Sequence, residues 1–152
     1  MSTITGHDDH IGATTAEGRA SMRVEHRGGD RFEIAVRGHH VLVDQPVEAH
    51  GEDLAPTPTE LFVVSLASCV AFYARRYLRR HDLPEDGLAV DVSWSMGSSP
   101  ARVDAIDLEI LLPEGFPESR RDALLAVASH CTVHNSITTP PAIGVRLGGS
   151  EG

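Results

Sequence analysis

The feature that most constrains this chain is one long segment, Thr57 to His81, that is marked as a helix at its start and is apolar around most of its circumference. Thr57-Pro58-Thr59-Glu60 places a hydroxyl at the N-cap, a proline at the first helical position and a carboxylate three residues after the cap. That is a capping box. The Thr hydroxyl accepts from a backbone N–H that the first turn cannot pair, and the Glu reaches back to the cap's own N–H. Phe62, Leu66, Cys69, Tyr73 and Arg76 then recur at steps of three and four, one helical stripe that turns basic at Arg76 and Arg80. Val63, Val64, Ala67, Val70, Ala71, Phe72 and Ala74 extend the apolar surface to most other faces. Such a helix belongs at the centre of a fold. The pattern predicts a buried helix over residues 58–81, ended by Leu83-Pro84.

Strands flank it. From Ser21 to Pro46 the apolar period is two, through Met22 and Val24, then Phe32, Ile34 and Val36, then Val41 and Val43. Arg27-Gly28-Gly29-Asp30 and Arg37-Gly38-His39 break these runs, so the stretch reads as a three-stranded antiparallel meander. Leu88 to Met96 and Val103 to Leu112 read as two further strands around a Ser98-Ser99-Pro100 turn. Pro117 is expected to open a second helix that ends near Cys131. A short helical turn to Ile137 and a last strand over Ile143 to Leu147 follow. The order β-β-β-α-β-β-α-β groups its strands instead of alternating them with helices, which makes the fold class α+β. Residues 1–18 are expected to be a flexible tail, and residues 19–149 a single domain.

Composition excludes several functions. The formal net charge is −9, which argues against nucleic acid as a partner, because phosphate affinity needs clustered Lys and Arg. Leu61 to Ala74 is too short, and too interrupted by Ser65 and Ser68, to predict a membrane span. Met1 to Thr15 lacks the features of a signal peptide, so a cytoplasmic location is expected. Thiols there are kept reduced, and a pair of cysteines is more often redox-active or free than structural. The chain has two, Cys69 and Cys131, with 61 residues between them, which is neither a CxxC motif nor a zinc-ligand set. Any joint chemistry requires the fold to bring them together. His130, Cys131 and His134 lie close in sequence, but three ligand types at one helix end without a partner cluster predict no metal site.

Ala55-Pro56-Thr57-Pro58-Thr59-Glu60-Leu61-Phe62 with Leu66-Ala67-Ser68-Cys69, and then Cys131-Thr132-Val133-His134-Asn135, resemble the two cysteine motifs of the OsmC/Ohr family. Gly38-His39 and Val43-Asp44-Gln45-Pro46 are similar to the upstream pattern of its OsmC-like branch. The resemblance covers roughly residues 21–148. It implies an OsmC-like fold, an intertwined homodimer with central helices, and a site at the subunit interface. It also implies thiol-dependent reduction of organic hydroperoxides, of fatty-acid type among others, with electrons from a dithiol reductant of lipoyl or thioredoxin type and no bound cofactor.

Carried over by position, the resemblance makes Cys69 the thiol that attacks peroxide and Cys131 the thiol that resolves the sulfenic acid. A free thiol is only a few per cent ionised at neutral pH, so the nucleophile needs a cation nearby. The resemblance assigns that cation to Arg31, with Arg27 as second choice and His134 as a supporting residue. Two positions depart from the family pattern. Thr59 stands where hydroperoxide reductases have the Glu that orients the Arg, and Thr132 stands where Pro usually follows the second cysteine. Glu60 is one place out of register, about 100° around the helix from position 59, and its expected role is the cap. The alternative to peroxidase chemistry is an OsmC-like small-ligand binding protein that keeps the fold with its activity lost or altered.

Overall fold

The computed structural model describes residues 13–14 and 19–149. Ala13–Thr14 (β1) pairs antiparallel with Ala20–Ser21 (β2); the rest of the expected N-terminal tail lies outside the described residues. Contacts divide the chain into two compact units, Met1–Leu61 and Phe62–Gly152.

In the first unit the predicted meander is present, with Arg23–His26 (β3), Phe32–Val36 (β4) and His39–Val43 (β5) in the order β3-β4-β5. Ile34 sits opposite both Val24 and Val41, so the apolar alternation that set the register falls on one face. Gly28 adopts φ 100° in the β3–β4 turn, a conformation that favours glycine. The segment from Asp44 to Pro56 closes into a loop around a buried carboxylate. Asp44 Oδ1 accepts from Gln45 N at 2.8 Å, its Oδ2 from Leu54 N at 3.1 Å, and its own N–H donates to Pro56 O at 3.2 Å. Gly51 passes so near the Gln45 carbonyl that a Cβ there would collide with it.

Helix α1 spans Pro58–Arg80 and starts as predicted. Thr57 Oγ1 accepts from Glu60 N at 3.1 Å, and Glu60 Oε2 accepts from Thr57 N at 2.7 Å. Val63, Leu66, Ala67, Val70, Ala74, Tyr77 and Leu78 are buried. The expectation of burial all round is not met within one chain, because Phe62, Val64 and Phe72 remain exposed. By length and by a hydropathy of 1.4, α1 also meets the requirement for crossing a bilayer, which the shorter stretch Leu61 to Ala74 did not. The core helix of a water-exposed fold passes the same test, and this helix carries the centre of a packed cluster.

The second unit contains the rest of that cluster. Ala89–Ser98 (β6) and Ala101–Leu111 (β7) form an antiparallel hairpin with a register shift at Ser95/Met96. A 3-10 turn over Glu118–Arg120 leads into α2, Arg121–Ala128, and a separate helix α3 covers Thr132–Thr138. Leu66, Val70, Ala74, Tyr77 and Leu78 of α1 pack with Leu124 and Ala128 of α2 and with Cys131, and Val90, Ile106 and Leu108 of the hairpin close over them.

Two sequence expectations are corrected. Cys131 does not close the second helix; it is extended (φ −69°, ψ 160°) and opens α3 as its N-cap, while α2 stops three residues earlier. No strand forms over Ile143 to Leu147. Ile143, Val145 and Leu147 are 83%, 93% and 100% exposed, and alternation alone makes no strand without a neighbouring backbone to pair with. Among the described residues the order is therefore a β1–β2 pair followed by β-β-β-α-β-β-α-α. The class remains α+β.

Candidate functional site

Cys69 and Cys131 meet in the core of the second unit. Helical spacing places Cys69 between Leu66 and Val70, on the edge of the buried face of α1, and it packs against the cluster that contains Cys131. Cys69 is half-buried, Cys131 is fully buried, and both are free thiols. Their proximity was open in the sequence; the α1–α2 packing and the turn into α3 produce it.

The environment of Cys131 is mixed. Burial raises its pKa, the N–H of His134 donating to Sγ at 3.4 Å lowers it, and the adjacent Cys69 thiol raises it again, with a net shift upward. One turn after Cys69, Tyr73 Oη lies 2.9 Å from Thr132 Oγ1, which ties α1 to the first residue of α3. Position 132, where proline would have no hydroxyl, thus fixes the two cysteine-bearing elements to each other. That role was not visible in the sequence, since the partners are 59 residues apart.

His134 contributes its backbone N–H to Cys131, and its Nδ1 is buried with no hydrogen-bond partner. Its ring borders a cavity of about 590 Å³ that is walled by Leu66 and Val70 of α1, Ile106 and Leu108 of β7, and Leu124 of α2. His130 is occupied elsewhere, with Nδ1 2.7 Å from Ala126 O. Among the described residues no three His, Cys, Asp or Glu side chains converge as metal ligands.

The two candidate arginines lie in the first unit. Arg27 is held in surface ion pairs, donating to Glu33 at 2.7 Å and to Glu25 at 2.9 Å. Arg31 is less engaged: its Nε stands 3.5 Å from Gly28 O, and a terminal nitrogen 3.7 Å from Glu52. Burial pushes the Asp44 carboxyl pKa up, but the N–H groups of Leu54, Gln45 and Glu52 and the charge of Arg31 outweigh it, and the net shift is downward. Asp44 is thus an ionised anchor for the loop that carries Glu52 to Arg31. In the sequence Asp44 stands out only within the run Val43-Asp44-Gln45-Pro46. Glu60 is occupied in the cap of α1.

An α+β chain with two thiols brought together at a helix–helix junction defines a class, and comparison with known proteins assigns the family. A family model described as OsmC-like protein matches residues 50–146, and the chain belongs to that family. No curated protein matches it. Among solved structures it is similar to an osmotic stress induced and detoxification response protein of Psychrobacter arcticus 273-4, at 24% identity and TM-score 0.73, over 78% of this chain and 88% of that one. It is also similar to an organic hydroperoxide resistance protein OsmC of Legionella pneumophila, at 20% identity and TM-score 0.58, over 77% and 88% of the two chains. A third similar structure is the organic hydroperoxide resistance protein OhrB of Bacillus subtilis, at 15% identity and TM-score 0.52, over 79% and 92%. At these identities the likeness concerns the fold.

Proposed function

We propose that this chain is a cytoplasmic, homodimeric thiol peroxidase that reduces organic hydroperoxides. The observation that carries the reading is the convergence of the chain's only two cysteines, both free, in one largely apolar cluster. In the proposed cycle the Cys69 thiolate attacks the distal peroxide oxygen, the O–O bond breaks, and the alcohol leaves with a proton. Cys69 is then a sulfenic acid. Cys131 attacks that sulfur, an S–S bond forms and water leaves. An external dithiol supplies two electrons and two protons to restore both thiols.

Arg31 is the proposed activating cation. Its single long contact to a carboxylate leaves it freer than Arg27, which two glutamates hold at short range. His134 is proposed to support Cys131 through its backbone N–H. Glu60 is assigned to the helix cap. The similar structures from Legionella pneumophila and Bacillus subtilis, named for organic hydroperoxide resistance, support the choice of oxidant.

The test is the intact mass of the reduced protein after one equivalent of an alkyl hydroperoxide. The expected product is lighter by two hydrogens, and Cys131→Ser is expected to gain one oxygen instead. An unchanged mass in both proteins would remove the peroxidase reading. One observation favours a second reading, that of a small-ligand binding protein: the cavity of about 590 Å³ beside His134, apolar along α1 and β7 and bordered by Glu109, Arg121 and Asp122, is large enough for an organic molecule. Under that reading the thiols stay unreacted while an apolar ligand protects the second unit from heat.

A further inference from the structure

Helix α3 is seven residues long and buries none of them. A helix that short does not persist in water unless tertiary contacts hold it, and α3 has few. Val133 packs partly against the core cluster, and Cys131 enters that cluster as the N-cap. Among the described residues, the 2.9 Å bond between Tyr73 Oη and Thr132 Oγ1 is the only side-chain hydrogen bond from α3 to another helix or strand. The other side-chain bonds of α3 stay within it or reach back to His130 and Cys131.

Neighbours place both ends of this bond. Tyr73 follows Cys69 by four residues, on the same face of α1, and Thr132 directly follows Cys131. The Tyr73 ring meets Phe72 edge-on with centroids 5.9 Å apart, and the Arg76 guanidinium stands 5.7 Å from its centroid. Packing on two sides aims the Tyr73 hydroxyl. Thr132 is exposed, so its hydroxyl serves no buried packing. The bond thus runs beside the two thiols, joining the residue one turn after the first to the residue next to the second.

Once Cys69 is a sulfenic acid, two reactions compete for it. Cys131 sulfur attacks it, an S–S bond forms as the S–O bond breaks, and the hydroxyl leaves as water with the thiol proton. Alternatively a second hydroperoxide oxidises it to a sulfinic acid and leaves as the alcohol, a product that thiols do not restore. Burial raises the Cys131 pKa, so little thiolate is present at neutral pH, and the first reaction depends on how closely the sulfur is held. Disulfide formation also draws that sulfur away from the His134 N–H, 3.4 Å distant, which loosens the first turn of α3. We propose that Tyr73 and Thr132 are a positioning pair whose hydrogen bond holds Cys131 beside Cys69, so that the sulfenic acid closes to the disulfide before a second peroxide reaches it. Protection from a second peroxide rests on the peroxidase reading, whereas the closeness of the two thiols does not.

The test uses the full chain and two readouts. In a glutathione redox buffer, the effective concentration of the Cys69–Cys131 pair is expected to fall about two- to tenfold in Tyr73→Phe and in Thr132→Val, the range of one ordinary hydrogen bond. Thr132→Ser keeps the hydroxyl and is expected to match the wild type. The double variant Tyr73→Phe/Thr132→Val is expected to be no worse than either single one, because both remove the same bond. Ser136→Ala removes a 2.9 Å hydrogen bond internal to α3 and is expected to change nothing. Under excess alkyl hydroperoxide, the intact mass of the two single variants is expected to show severalfold more sulfinic acid, a gain of two oxygens, while the first oxidation of Cys69 keeps its wild-type rate. Wild-type values in both single variants, losses that add in the double variant, or an equal loss in Ser136→Ala would overturn the pair. A first oxidation slowed in proportion would do the same. A protein that behaves as expected in glutathione but is not oxidised by the hydroperoxide refutes the peroxidase reading and leaves the positioning pair standing.

Discussion

Cys131 caps α3 with a sulfur where a hydroxyl or carboxylate oxygen is the ordinary choice. Its raised pKa means that the folded state holds the thiol proton more tightly than the unfolded chain. The associated stability is full below the ordinary thiol pKa of about 8.5 and is lost as pH rises through the higher folded value. Urea midpoints between pH 7 and 10 are expected to fall in the wild type, and Cys131→Ser is expected to flatten that fall. Asp44 has the opposite sign. Its lowered pKa gives stability that is full above the unfolded value of about 3.9 and is lost as pH drops through the lower folded one. Asp44→Asn is expected to reduce the acid-side loss, read as the change in midpoint between pH 5 and 2. Both thiols were legible as candidates from residue type and motif. The tasks of Asp44 and Thr132 were not, because each depends on a partner brought near by the fold, Leu54 ten residues on and Tyr73 on another helix.

At the scale of elements, α1 was legible to within a residue because its start is encoded locally. Thr57 and Glu60 satisfy each other's N–H groups within four positions, so no tertiary information is needed. Thr57→Ala is expected to cost about 0.5–2 kcal/mol, measured by chemical denaturation. Leu78→Ala, at a fully buried position in the α1–α2 cluster, is expected to cost about 2–5 kcal/mol. The region after Pro117 was less legible. After Ala128 the chain runs Ser129-His130-Cys131-Thr132 with no Gly or Pro to mark a break, yet Ser129 ends one helix and the Cys131 sulfur begins another. The expected last strand failed for the converse reason: the side-chain pattern was right for a strand, but a strand also needs a neighbour.

For the whole molecule, the exposed Phe62, Val64 and Phe72 of a helix buried on one face mark an apolar surface that one chain leaves uncovered. A two-fold dimer would cover it, as the family resemblance implies. Light scattering of the wild type at micromolar concentration is expected to report a dimer and Val64→Asp a monomer; a wild-type monomer would count against the homodimer. By itself the sequence determined much of the local structure: the strands of the meander and the hairpin, where α1 begins, and which two thiols were available. Capping, turn chemistry and apolar period act between residues a few positions apart, so they can be read along the chain. Only the tertiary structure decided that Cys69 and Cys131 share one cluster and that Arg27 is held by glutamates. Those outcomes depend on distances between side chains that the linear order leaves unspecified, and burial and charge act through such distances.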